Sequence, residues 1–168
     1  LGSASPRMTG EEIEKYIQKK LKRNEQVLRI NAKNLGDEGI AYLAGYSKLK
    51  TVLTLIIYKG NFGDEGVRSL AESENLDQLT ALYLENNNIT DLGVEYISES
   101  KPLSNLKVLN LYHNHISDKG AGLIAESDTL TQLQELNLNY NQIHGSGAIQ
   151  LTHSTKLKNL IKIDLTYN

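Results

Sequence analysis

The sequence has no cysteine and no tryptophan, and only one phenylalanine, one methionine and two prolines. Without cysteine, neither disulfides nor thiolates can support the fold or a site, which fits a reducing, cytoplasmic compartment. No apolar stretch approaches the ~20 residues that a bilayer-spanning helix needs, and the polar start carries no signal-peptide pattern. An excess of charge of one sign is missing too. Eighteen Lys and Arg against twenty Asp and Glu leave a net charge of −2, with no basic block. That argues against nucleic acid or a membrane as the main partner. With 39% hydrophobic and 23% charged residues and no low-complexity run, the 168 residues suit one well-cored globular domain.

What is present is a repeat. The strings LRINAKNLGDEG (28–39), LIIYKGNFGDEG (55–66), LYLENNNITDLG (82–93), LNLYHNHISDKG (109–120), LNLNYNQIHGSG (136–147) and a short IDLTYN (163–168) each begin 27 residues after the last. A fixed period of this size marks a repeat architecture.

Each position in the unit has a physical job. Positions 1 and 3 are apolar in every copy, from Leu28/Ile30 to Ile163/Leu165, and this alternation predicts a short strand. Position 6 is Asn87, Asn114, Asn141 and Asn168, which predicts an amide ladder bonding backbone groups where the chain bends inward. Lys33 and Gly60 stand there in the first two copies, so the ladder should begin at the third. Position 10 is Asp37, Asp64, Asp91 and Asp118, each expected to cap the helix it precedes. Position 12 is always Gly. Apolar residues at positions 13, 16 and 17, such as Val67/Leu70/Ala71, then predict two to three helical turns. Serine follows at the helix exit, and two leucines lead back to the next strand.

Before the repeats, LGSASPR (1–7) reads as a tag or protease-site remnant, with Met8 as the native start. Residues 8–27 predict an N-terminal capping helix. Thr9 and Glu12 form a capping box, and Ile13, Tyr16, Ile17 and Leu21 share one face that can cover the first repeat. The repeat domain spans 28–168. One strand and one helix per copy make a parallel sheet with helices outside. Strands sit ~4.8 Å apart and helices ~8–10 Å, so the strands line the concave side.

The pattern LxLxxNxIxDxGxxxLAxS, preceded by LxxL, resembles the leucine-rich repeat, and its D-x-G step into a helix is similar to the ribonuclease-inhibitor-like class. The resemblance covers about residues 25–168. It implies an α/β leucine-rich repeat solenoid, a right-handed horseshoe with the sheet concave and the helices convex. It also implies a concave face that binds another macromolecule. Inhibition of a ribonuclease is not implied, because Asn stands where inhibitor-type repeats often alternate with Cys.

The residues expected to face the concavity are positions 2, 4 and 5. They run Arg29, Ile56, Tyr83, Asn110, Asn137, Asp164; then Asn31, Tyr58, Glu85, Tyr112, Asn139, Thr166; then Ala32, Lys59, Asn86, His113, Tyr140, Tyr167. Five of the nine tyrosines fall in these columns. Strand propensity enriches Tyr, but so do interaction hot spots, where Tyr offers area with little entropy to lose. The candidate partner-binding set is Ile56, Tyr58, Tyr83, Glu85, Asn110, Tyr112, His113, Asn137, Tyr140 and Tyr167. Mixed charges on this face suit a protein or peptide.

Catalysis finds little support. His113 and His115, near Glu85, weakly resemble metal ligands, but His115 shares the column of Asn61, Asn88 and Gln142, which is turn chemistry. No Ser–His–Asp set stands out, and no cofactor or metal motif is present. The expectation is a non-catalytic protein-protein interaction module, monomeric unless its open C-terminal edge pairs. Richness in Asn, Lys, Ile and Tyr points to a bacterial effector acting on a host protein, released into the host cytoplasm. The alternatives are the substrate-recognition part of a ubiquitin ligase, or the binding domain of a larger enzyme.

Overall fold

The computed structural model describes residues 5–31 and 33–168. Residues 1–4 of the segment read as a tag, and Ala32 of the concave column, lie outside the described residues. Ser5 and Arg7 are not detached from the fold. The Ser5 carbonyl accepts a hydrogen bond from Asn34 Nδ2 at 2.6 Å, and Arg7 approaches Glu38 at 4.0 Å.

Strands and helices alternate from the capping helix onward. The helices are α1 (Gly10–Leu21), α2 (Gly36–Ala44), α3 (Asp64–Ala71), α4 (Asp91–Ser98), α5 (Asp118–Ala125) and α6 (Gly145–Thr152). The strands are β1 (Val27–Asn31), β2 (Thr54–Tyr58), β3 (Ala81–Tyr83), β4 (Val108–Asn110), β5 (Glu135–Asn137) and β6 (Lys162–Asp164). The six strands form one parallel sheet in sequence order. Pairs such as Leu28↔Leu55 and Leu82↔Leu109 join equivalent positions of successive copies. The sequence period and the sheet register are therefore the same number.

α1 carries the predicted capping box: the Thr9 N–H donates to Glu12 Oε2 at 2.8 Å, and the Glu12 N–H to Thr9 Oγ1 at 3.3 Å. Its buried face, Ile13, Ile17 and Leu21, joins the core of the first repeat. That core continues without a break through Leu55, Leu82, Leu109 and Leu136 under the sheet and through Val67, Leu70, Ala121 and Ile124 under the helices. Each repeat thus shields the apolar edge of its neighbour, as a solenoid requires.

Three polar ladders hold the coils together. The amide ladder begins at Asn87, as expected. Asn114 Nδ2 donates to the carbonyls of Leu84, Leu111 and Tyr112 at 3.0, 3.1 and 3.3 Å, and its Oδ1 accepts from the Ile89 N–H at 3.1 Å. Gly60 replaces Asn in the second copy because Phe62 fills that space; a Cβ at Gly60 would lie 2.9 Å from the Phe62 ring. The helix-exit serines form a second ladder, with Ser73, Ser100 and Ser127 Oγ donating to the carbonyls of Ala44, Ala71 and Ser98 one repeat back.

The third ladder corrects the expectation for the aspartates. Helices α3, α4 and α5 start at the Asp itself, with Gly63, Thr90 and Ser117 as N-caps. The carboxylate points forward to the next copy. Asp37 Oδ1 accepts the N–H groups of Gly63 and Gly66, both at 2.9 Å. Asp91 Oδ1 accepts those of Ser117 and Gly120 at 2.8 and 3.0 Å. An Asp in the first helical turn cannot reach back to its own orphan N–H groups, but stacking brings those of the next helix within range.

Candidate protein-binding face

The faces of the strands away from the core carry positions 2 and 4, as alternation requires. Position 0 belongs to the same column. Val27 and Thr54 line one groove together with Arg29, Ile56, Tyr58, Tyr83 and Glu85, and Val108, Glu135 and Lys162 line a second with Asn110, Asn137 and Asp164. The first groove encloses about 480 Å³ and the second about 190 Å³. Period-two alternation extended one residue upstream would have found Val27, Thr54, Ala81 and Val108. A further hollow of about 390 Å³, lined by Leu21, Lys22, Glu25, Lys48 and Thr51, lies off the sheet at the end of α1.

Position 5 differs from the column it was grouped with. Lys59, Asn86, His113, Tyr140 and Tyr167 all adopt positive φ, between 51° and 60°. This left-handed turn ends each strand run and lets the chain bend toward the Asn ladder. Asn tolerates it, whereas bulky side chains occupy it at a cost. Here two tyrosines and a histidine do so, and they meet Tyr112 in a continuous aromatic ridge. Tyr112 and Tyr140 pack edge-to-face with centroids 5.3 Å apart, and Tyr140 and Tyr167 stack at 4.5 Å and 22°. His113 lies 6.0 Å from Tyr112 and 5.9 Å from Tyr140. Tyr140 and Tyr167 remain 41% and 72% exposed, so the ridge is a surface feature rather than core.

Asn110 and Asn137 are partly committed to local structure. Their Oδ1 atoms accept the N–H groups of Tyr112 and Asn139 at 2.9 and 3.0 Å, and this shapes the turn after each strand. Asn110 Nδ2 remains directed across the face and donates to Glu85 Oε1 at 2.8 Å. Burial pushes the Glu85 carboxyl above its ordinary pKa, partly offset by positive Arg29. Asp164 is the reverse: hydrogen bonds from the Thr166 hydroxyl, Asn139 and the Thr166 backbone hold its pKa down. Most of the candidate residues thus fall into two groups, a groove around Ile56, Tyr58, Tyr83 and Glu85 and a ridge of Tyr112, His113, Tyr140 and Tyr167. Among the described residues, no three His, Asp or Glu side chains converge as a metal-binding group.

A coil of strand and helix stacked at constant register, with aromatics along its exposed sheet, defines a solenoid of the open-faced type. Within it, residues 77–143 match the leucine rich repeat family model. A solved structure of leiomodin-1 actin-binding site 2 is similar at a TM-score of 0.53 and 16% identity, over 92% of this chain and 90% of that one. An internalin C2 from Listeria monocytogenes has a TM-score of 0.45 and 19% identity over 95% and 84%. No curated protein matches the sequence. No helix among the described residues is long and apolar enough to cross a membrane.

Proposed function

We propose that this leucine-rich repeat chain is a non-catalytic interaction module that takes a protein or peptide on its concave face. The observation that carries the reading is the ridge of Tyr112, His113, Tyr140 and Tyr167. Three of these four residues sit in left-handed backbone, and their rings meet one another while Tyr140 and Tyr167 stay in solvent. Stability alone would favour Asn or Gly there, and strained, exposed aromatics mark binding sites. The same architecture serves leiomodin-1 as an actin-binding site. The helix in each complete repeat and the D-x-G step support the ribonuclease-inhibitor-like form of the repeat. Six strands span roughly 25 Å across the sheet, enough for a peptide or one lobe of a protein.

The test is affinity capture with the chain and with its Tyr83→Ala/Tyr112→Ala variant. We expect the captured partner to be lost while the thermal midpoint changes little. If the partner is retained and the midpoint collapses, these tyrosines are packing residues and the reading falls.

A further inference from the structure

Building on that reading, we propose that the groove over β1–β3 is a cation subsite, in which Glu85, set among Tyr58, Tyr83 and Tyr112, receives a basic side chain of the partner.

The register assembles the site. Ile56 pairs with Tyr83, and the Lys59 N–H donates to the Glu85 carbonyl at 3.2 Å, so Tyr58 and Glu85 are lateral neighbours. The Asn86 N–H donates to the Tyr112 carbonyl at 2.9 Å, which sets Tyr112 on the other flank of Glu85. Tyr83 precedes Glu85 by two residues and shares its face. All four side chains are half-buried. Tyr58 and Tyr83 stack on no other aromatic ring among the described residues.

The charge is the second argument. Glu85 Oε1 accepts one hydrogen bond, from Asn110. Glu85 joins none of the ion pairs among the described residues. A half-buried carboxylate with one amide partner, and with Arg29 near it but not in a direct ion pair, has lost hydration with only partial compensation. An incoming cation supplies a direct counter-ion, and tyrosine faces add attraction to the same charge. The Tyr58 ring already attracts one: Lys59 Nζ lies 5.4 Å from its centroid. Arg29 lines the outer side of the groove and opposes a second cation, so its removal should strengthen binding. A guanidinium suits the site better than an ammonium because it can bond a carboxylate with two N–H groups while stacking on a ring. A groove of about 480 Å³ admits such a side chain.

The experiment is a ¹⁵N-NMR titration with acetyl-Gly-Arg-Gly-amide, its Lys counterpart, and norleucine and Glu controls. The Arg peptide should give saturable shifts at the Tyr83, Glu85 and Asn86 amides, and the norleucine and Glu peptides none. Glu85→Gln should weaken the Arg peptide about tenfold or more, with the remaining amide spectrum unchanged, and Arg29→Gln should tighten it. The proposal is overturned if norleucine binds as well as arginine, if the Glu peptide is preferred, if no basic peptide saturates, or if Glu85→Gln leaves the affinity unchanged. Tyr140→Ala/Tyr167→Ala, outside the groove, separates this from the broader reading. Should that variant lose a captured protein while the Arg peptide fails to bind, the subsite falls and the binding face stands. Should the Arg peptide bind while capture ignores all four tyrosines, the groove takes a guanidinium that the captured protein does not supply, and the face and the partner subsite both fall.

Discussion

The Asp64 carboxylate holds the start of the helix that contains Gly93, one repeat on. Its Oδ1 accepts the Gly93 N–H at 3.0 Å and the Thr90 N–H at 2.8 Å, while Oδ2 accepts the Thr90 hydroxyl at 2.6 Å. The approach is so close that a Cβ at Gly93 would lie 2.6 Å from Asp64 Oδ1 and 2.8 Å from Ile89 Cγ2. The Gly column and the Asp column are therefore one device, each copy's carboxylate closing on the next copy's bare backbone.

Gly93→Ala should destabilise the chain by about 2–3 kcal/mol through overpacking, and Asp64→Ala by about 2 kcal/mol through the lost cap. Because the two residues act on each other, the double variant should cost less than the sum. Urea unfolding of the four chains checks this.

The buried amide ladder gives a position-dependent expectation. Asn114 is 3% exposed and makes four hydrogen bonds to two repeats. Its replacement by Ala should cost about 2–4 kcal/mol, since a buried N–H and several carbonyls lose their partner. Asn168 makes the same set of bonds on an exposed strand end, where water replaces the amide, so Asn168→Ala should cost less than about 1 kcal/mol. Denaturant midpoints of the two variants measure the contrast.

At Tyr140, φ is 54°. Asn tolerates this conformation better than Ala, so Tyr140→Asn should be more stable than Tyr140→Ala by about 1 kcal/mol. Against the parent chain, relief of strain and loss of ring stacking should nearly cancel, to within about 1 kcal/mol. Capture of the partner should fall in both variants. Thermal melting paired with a binding assay reads the two effects separately.

Stability should respond to pH in opposite senses at two carboxylates. Burial raises the Glu85 pKa above its unfolded value, so its favourable contribution is present below the unfolded pKa and lost as pH rises through the folded one. Glu85→Gln should therefore raise the midpoint near neutral pH and do little in acid. Asp118 is held low by the backbone N–H groups of His144 and Gly147, so its contribution is present near neutrality and lost as pH falls through its folded pKa. Asp118→Ala should lower the midpoint near neutral pH and lose its effect in acid. Melting curves across the carboxylate range test both signs.

The sequence by itself determined the period, the strand and helix of each copy, the buried positions and the capping box of α1. These follow from alternation, helical spacing and a cap three residues long, all legible within one unit, and an unbroken period leaves the parallel register no alternative. It also marked the face that carries Tyr58, Tyr83, Tyr112 and Tyr140. Only the tertiary structure decided that Asp64 serves the helix after its own and that the helix-exit serines reach back to carbonyls one repeat earlier. The same holds for the left-handed turn under Tyr140 and for the unpaired carboxylate of Glu85. The physical reason is distance along the chain. Asp64 and Gly93 are 29 residues apart, and their contact depends on how one coil sits on the next, an offset that no single copy of the repeat contains.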